Sequence, residues 1–295
     1  MNIIFNQIIR LKHMQVTDWL RQQVTNALNE DIGSGDLSAK LIAKKQQSSA
    51  SVICREPAIM CGQTWFNEVF AQLDDQVRIE WLVQEGEPIT ANTLMCKLHG
   101  SARSLLTGER TALNFLQSLM GTATAANRYA TELAAHGKTK LLDTRKTLPG
   151  MRLAQKYAVR VGGGVNHRVG LYDAILIKEN HIMAAGSLTN AVIKAKEKFP
   201  STFIEAEVES LSELATALTL PLDRIMLDNF SLADIHQAVA MNNGKIPLEV
   251  SGNVTFDQLA SLAETGVDFI STGAITKHLY AIDLSMRFEW ENTHA

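Results

Sequence analysis

Residues 141–181 read LLDTRKTLPGMRLAQKYAVRVGGGVNHRVGLYDAILIKENH, and the way apolar and charged residues follow one another there sets the fold. Leu141-Leu142 leads directly into Asp143-Thr144-Arg145-Lys146, and Ala174-Ile175-Leu176-Ile177 into Lys178. Apolar runs this short read as buried parallel strands, which puts the charges that follow them at strand ends, converging on one mouth. The stretch carries seven basic residues (Arg145, Lys146, Arg152, Lys156, Arg160, Arg168, Lys178) against three acids (Asp143, Asp173, Glu179), although the whole chain of 295 residues has net charge −3. A cationic cluster inside a slightly acidic protein is costly unless a ligand neutralises it, so a small anion belongs there.

Working outward, the rhythm of strand, polar tip and helix continues from about residue 125 onward. Strand starts near 140, 173, 204, 224, 247 and 268 recur every ~20 to 30 residues, as βα units closing into a barrel do. The expected fold class is therefore α/β: an irregular or incomplete α/β barrel of six to seven βα units over residues 126–279. An open doubly wound sheet is the weaker alternative, because no GxGxxG fingerprint follows a first strand. Ser231 and the pair Thr255/Gln258 supply helix start signals.

Upstream, residues 15–125 read as a smaller α/β layer of their own. Helices are expected over Trp19–Asn29 and Gly62–Leu73, and strands over Ala50–Arg55, Val77–Val83 and Leu94–Leu98. A helix beginning near Ser101 stripes Leu105, Leu106, Leu113, Leu116 and Met120, is interrupted by Glu109-Arg110, and is expected to bend or end at Gly121. Residues 1–14 read as a loosely held extension. Lys277–Phe288 reads as helical, with residues 280–295 returning to the first domain.

Composition excludes several classes. No long block of like charge supports a nucleic-acid or membrane-surface partner. Cys54, Cys61 and Cys96 stand apart with no CxxC pair, which argues against a zinc site and for a reducing cytoplasm. No apolar run reaches the ~18 residues of a membrane span, and the first residues lack a secretory signal's basic start and cleavage site.

The candidate site residues follow from the tips. Arg145, Lys146, Arg168 and Lys178 suit carboxylate or phosphate, since guanidinium forks bind two oxygens at once. Arg152, Lys156 and Arg160, four apart on one helix, read better as surface ion pairs, and Gly162-Gly163-Gly164 as a loop. His167 is balanced between a ligand and a structural histidine. Glu205, Glu207 and Glu209 share a strand face, with Glu205 or Glu209 expected to be solvated. Glu207 and Asp228, on successive strands, are expected to meet, and such a pair can hold Mg²⁺, ribose hydroxyls or a developing positive charge. Ser251-Gly252-Asn253 and Ser271-Thr272-Gly273-Ala274 each follow an apolar run and precede a helix, so their amides would face phosphate; a plain tight turn competes for either alone.

The runs DTRKTLPGMR, KYAV, GGGVNHR, LIKENHI, EVE, MLDN, EVSGN and TGVDFISTGAITKH, with EDIGSGDLS, REPAIMCG and GERTALNFLQ upstream, closely resemble the quinolinate phosphoribosyltransferases over about residues 19–288. The resemblance implies reaction of quinolinate with phosphoribosyl pyrophosphate and Mg²⁺ to give nicotinate mononucleotide, CO₂ and pyrophosphate. It implies that Arg110, Arg145, Lys146, His167, Arg168 and Lys178 face quinolinate. Thr144, Glu207, Asp228, Ser251, Gly252, Asn253, Ser271, Thr272, Gly273, Ala274 and His278 would face phosphoribosyl pyrophosphate, with Glu207 and Asp228 at the metal, directly or through water, and Lys146, Glu207 and Asp228 in the chemistry. It also implies an open α/β sandwich before the barrel, and a homodimer, or a hexamer of such dimers, in which Arg110 reaches the neighbouring site. The chain departs from the family at Leu119-Met120-Gly121-Thr122-Ala123-Thr124, where Met120 replaces a serine. A phosphoribosyltransferase for another aromatic acid and a non-catalytic phosphoribosyl-binding regulator are the alternatives.

Overall fold

The computed structural model describes residues 17–289; the extension read over residues 1–14 lies outside the described residues. The chain divides into two compact units, one taking the described residues up to Thr124 together with those from Leu279 onward, the other Ala125–His278. No helix among the described residues is long and apolar enough to cross a membrane.

The first unit contains strands β1 (Gln47–Cys54), β2 (Ala58–Ile59), β3 (Arg78–Trp81), β4 (Pro88–Ile89) and β5 (Thr93–Ser101). Alternation along β1 buries Ser48, Ala50, Val52 and Cys54 on one face, the period-2 pattern of a half-covered sheet. Helix Gln63–Leu73 buries Trp65, Phe66, Val69 and Phe70, and the Phe66 ring meets those of Phe70 and Trp81 at 5.3 and 5.2 Å. A closing strand, Leu284–Glu289, pairs antiparallel with β1, giving the order Leu284–Glu289, β1, β5, β3. The helical reading of Lys277–Phe288 is thereby corrected: Leu284, Met286 and Phe288 alternate with Ser285, Arg287 and Glu289, which is strand period, and the helix there is confined to Ala274–Lys277.

The long helix Ala102–His136 continues through Gly121 and so does not end there. The glycine answers to packing. A Cβ at 121 would lie 2.0 Å from the Tyr280 carbonyl oxygen, a distance no side chain survives, so the missing Cβ admits the neighbouring backbone. Met120 beside it is fully buried.

The second unit holds strands β6 (Lys140–Leu142), β7 (Ile175–Ile177), β8 (Ile204–Val208), β9 (Arg224–Asp228), β10 (Leu248–Ser251) and β11 (Phe269–Ser271), all parallel in the order β6-β11-β10-β9-β8-β7. At the free edge of β6 a single residue, Val165, bridges Leu142 in parallel, donating its N–H to Leu141 O at 2.8 Å. Among the described residues that segment has no ladder with β7, so the ring of six strands and one bridge is irregular and incomplete. Helices on the outside bury Leu188, Val192, Leu214, Ile235, Leu259 and Leu262 against strand residues such as Ile204, Ile225, Leu227, Leu248 and Ile270. Ser231 caps its helix by accepting the Asp234 N–H, and Thr255 and Gln258 form the expected reciprocal box, here opening a 3₁₀ turn, Phe256–Gln258. Every strand of this sheet runs the same way, so the tips named from the sequence share one end of it, the end where barrels of this kind place their chemistry.

Candidate active site

Asp143, the first residue past β6, is fully buried and serves as the anchor of the neighbouring loop. Its carboxylate pairs with Lys156 Nζ and accepts the His167 N–H at 2.8 Å and an Asn166 side-chain N–H, while Lys156 also donates to His167 O at 3.0 Å. Burial pushes the Asp143 carboxyl up and the Lys156 amine down, and each charge opposes that shift in the other. Lys156 is thus an interior tie, which corrects its reading as a surface ion pair. Arg152 is corrected likewise: it donates to Thr147 Oγ1 at 3.2 Å, Arg145 O at 3.3 Å and Val169 O at 3.4 Å, stitching two loops together. Asp173 caps Val169 and Gly170 N–H groups at 2.7 and 2.8 Å. Two of the three acids in the basic stretch are therefore engaged by the scaffold.

What is left at the strand ends is positive. Arg145 Nε is buried with no hydrogen-bond partner. Arg168 is half-buried and donates Nη1 to Ala174 O at 3.3 Å. Burial, and then the repulsion of Arg145, lower the Arg168 pKa, so the two guanidiniums stand near one another. Lys146 is exposed, and its stem lies along Gly273: a Cβ there would come within 2.9 Å of Lys146 Cδ and 3.3 Å of Thr144 Oγ1. Thr276 Oγ1 donates to Lys146 O at 2.8 Å, fixing that tip against the one after β11. Lys178, read as a cation without an acidic partner, forms an ion pair with Glu207. Arg110 is exposed on helix Ala102–His136, in the first unit.

The acids sort by depth. Glu207 is buried; burial raises its pKa first, Lys178 opposes the shift, and the charges of Asp228 and Glu179 add to it. Glu209 is solvated, but Glu205 is not: it is 1% exposed, inside the barrel, because its alternation with Glu207 points it the same way one layer deeper. His167 lies 2.9 Å from it, with Arg224 and Glu249 alongside. Arg224 and Glu249 were missed by sequence reading; their signal is a charge inside an otherwise apolar strand, in RIML and LEV.

The phosphate tips hold a correction too. Ser251 to Asn253 leads to the 3₁₀ turn at Phe256 rather than directly into a helix, and the helix after Ser271–Gly273 has four residues, Ala274–Lys277, ending before the exposed His278. Dipoles that short offer little to an anion. Thr272 N–H and Ala274 N–H are taken by Leu142 O and Thr272 Oγ1, both at 3.2 Å. What remains is shape: Asn229 at φ 55° folds back onto Ser251 O, donates to Asp228 Oδ2 at 2.8 Å, and packs so closely on Gly252 that a Cβ there would meet Asn229 Oδ1 at 2.8 Å.

Two families match the chain: the quinolinate phosphoribosyl transferase C-terminal domain over residues 122–287 and the corresponding N-terminal domain over 36–120. A probable nicotinate-nucleotide pyrophosphorylase [carboxylating] of Synechocystis sp. is 39% identical over 276 residues, 92% of each chain. The Bacillus subtilis protein of the same name is 37% identical, covering 94% of each. Among solved structures, the nicotinate-nucleotide pyrophosphorylase from Francisella tularensis superposes with a TM-score of 0.91 at 49% identity, over 96% of this chain and 100% of that one. Human nicotinic acid phosphoribosyltransferase, at 14% identity and a TM-score of 0.61, shares the fold alone.

Proposed function

The chain belongs to the quinolinate phosphoribosyltransferase family, and from that premise we propose how its own residues carry out the reaction. The enzyme is a carboxylating nicotinate-nucleotide pyrophosphorylase of NAD biosynthesis: phosphoribosyl pyrophosphate and quinolinate give nicotinate mononucleotide, CO₂ and pyrophosphate. The observation that carries the residue assignment is the pair Arg145 and Arg168: neither forms an ion pair among the described residues, Arg145 Nε is buried without a hydrogen-bond partner, and burial lowers the Arg168 pKa although Asp173 and Glu205 act against that shift. Two forks side by side suit a ring bearing two adjacent carboxylates better than one bearing a single carboxylate. Lys146 completes the cationic rim, and His167 holds the loop that carries Arg168.

Pyrophosphate leaves the anomeric carbon as the ring nitrogen attacks, and positive charge grows on the ribose. Glu207 and Asp228 supply negative potential there, with Lys178 holding Glu207 in place; preorganised charge of this kind is the expected largest contribution to rate. Ser251 to Asn253, Ser271 to Ala274, Thr144 and His278 form the rim assigned to phosphate. For Mg²⁺ the donors fit: Glu207 places a carboxylate oxygen within 4.8 Å of oxygens from Glu179 and Glu209, and Asp228 adds a fourth hard ligand nearby. Mg²⁺ typically keeps several waters and takes one or two carboxylates plus substrate phosphates, and when bound would offset pyrophosphate charge. The three free cysteines are all buried, which supports a reducing cytoplasm as the location.

Mass detection of nicotinate mononucleotide after mixing the protein with both substrates and Mg²⁺ tests the activity. For the site, Arg168→Ala is expected to weaken quinolinate binding by about 2–5 kcal/mol while leaving thermal unfolding unchanged. Calorimetry showing wild-type affinity would remove Arg168 from the site.

The assembly proposed is a dimer in which Arg110 completes the neighbouring subunit's site. Leu171, Tyr172 and Met183, beside Arg168 and Lys178 in the chain, are 74, 82 and 78% exposed, an apolar rim that suits cover by a second subunit. Pairing of Arg110 with Glu109 is a poor alternative, because adjacent helix residues do not face each other. An Arg110→Ala chain mixed with an inactive Lys178→Ala chain is expected to recover roughly a quarter of wild-type activity, since half the dimers are mixed and one of their two sites carries neither lesion. Exchange is confirmed by native mass spectrometry, and no recovery after confirmed exchange would show that Arg110 does not act across subunits.

A further inference from the structure

Three charged side chains inside the barrel take no part in the assignments above. Glu205, Arg224 and Glu249 come from the adjacent strands β8, β9 and β10, and none is more than 8% exposed. Arg224 donates Nη1 to Glu249 Oε2 at 2.7 Å, lies 3.9 Å from Glu205 Oε1, and stacks over the Phe269 ring at 4.5 Å. His167 closes the group: its Nε2 is 2.9 Å from Glu205 Oε2 and 3.5 Å from Glu249 Oε2, close enough for charge attraction but not in hydrogen-bond geometry, while its Nδ1 accepts the Arg168 backbone N–H at 2.8 Å.

That last bond decides the protonation state of the ring. A nitrogen that accepts an N–H carries a lone pair, so His167 is a neutral imidazole with its proton on Nε2. Burial lowers the His167 pKa, in the same direction. The layer then contains two carboxyls and one guanidinium. With both carboxyls ionised it would bury a net negative charge, and Oε1 of Glu205 and Oε1 of Glu249 would both lack a hydrogen-bond partner among the described residues. Burial, and Glu205 beside it, push the Glu249 carboxyl up to about 7, which makes Glu249 the carboxyl of the layer that most readily holds the compensating proton. The groups facing Glu249 are Glu205 from β8, Arg224 from β9, the Ser271 hydroxyl from β11 and His167 from the loop after Val165.

We propose that Glu249 is a positioning residue for the quinolinate end of the site: with Glu205 and Arg224 it fixes the His167 ring as the Nε2–H tautomer, and through Nδ1 that ring sets the backbone that aims Arg168. The inference rests on the assignment of Arg168 to quinolinate. Glu249 touches no substrate itself; it acts through His167.

The test uses the full chain. Nitrogen-detected imidazole NMR of the wild type is expected to show His167 as the neutral Nε2–H form from about pH 6 to about pH 8; a cationic ring or the other tautomer would overturn the proposal without any substitution. Glu249→Leu is expected to weaken quinolinate binding about tenfold, as loss of an outer orienting partner does, with the KM for phosphoribosyl pyrophosphate unchanged. Glu249→Gln imitates the protonated carboxyl. It is expected to keep quinolinate affinity within about twofold of wild type, because the carboxamide can keep the hydrogen bonds of the protonated carboxyl. Wild-type affinity in Glu249→Leu, or a loss in Glu249→Gln as large as that in Glu249→Leu, would sink the role. Absence of quinolinate binding in the wild type would instead fail the Arg168 assignment, and the tautomer measurement separates the two.

Discussion

Lys156→Ala is expected to cost about 3–5 kcal/mol of folding stability, the penalty for removing one member of a buried ion pair. Asp143, left behind at 0% exposure, would keep only the His167 and Asn166 N–H donors. An isolated carboxylate in that position neutralises by taking up a proton, so its folded pKa rises further above the unfolded one. The sign follows: a carboxyl with a raised folded pKa loses stability as pH rises from the unfolded pKa to the folded one, so the damage is greatest at neutral pH and eases in mild acid. The double variant Asp143→Asn, Lys156→Met is expected to be less destabilised than the single, although it removes more, because no buried charge stays unpaired. Urea unfolding at two pH values measures both. A loss under about 1 kcal/mol in the single variant would show that the pair ties down nothing.

The second unit was legible because its physics is local. A parallel strand buried on both faces reads as a short, mainly apolar run, and the runs in this chain end abruptly in a charge or in small polar residues, so 140, 204 and 224 were readable as strand starts and all three are. Two misreadings came from where local pattern underdetermines partner. Gly121 has the sequence look of a helix breaker, but a helix tolerates one glycine when tertiary packing uses the gap, and the Tyr280 carbonyl that uses it lies about 160 residues further on. Leu284–Glu289 alternates every second residue, yet six residues with helical neighbours upstream do not identify β1 as the partner.

In the site, identity of the groups was readable and their pairing was not. The excess of cations was real, but sequence could not say that Asp143 serves Lys156, Asp173 two amides, and Glu207 Lys178, which leaves Arg145, Lys146 and Arg168 as the strand-end cations with no ion pair among the described residues. Depth was equally hidden. Glu205 and Glu207 differ by two positions on the same strand face, and only the barrel's closure puts one at the mouth and the other in the interior. Arg224 and Glu249 became meaningful only when strands separated by about 20 residues were laid side by side.

Glu207→Gln and Asp228→Asn are each expected to lower kcat about 10²- to 10³-fold while quinolinate affinity holds, the pattern of groups that act on charge developing in the transition state. The pairing of Lys178 with Glu207 sharpens the expectation. Neutralising Glu207 releases the Lys178 ammonium from its counter-ion, so quinolinate, a dianion, should bind Glu207→Gln no more weakly than the wild type and the loss should fall wholly on turnover. Asp228→Asn has no such compensation, and it also removes a repulsion that raises the Glu207 pKa. Burial is the main cause of that rise, so the acid limb of kcat should lie above the ordinary carboxylate range: activity is lost as pH falls through the raised pKa and Glu207 takes up a proton. In Asp228→Asn that limb should move to lower pH, and in Glu207→Gln it should disappear. Steady-state kinetics across pH, with calorimetry for quinolinate, gives all three readings. Turnover within tenfold of wild type in both variants would remove these carboxylates from the ribose end of the site.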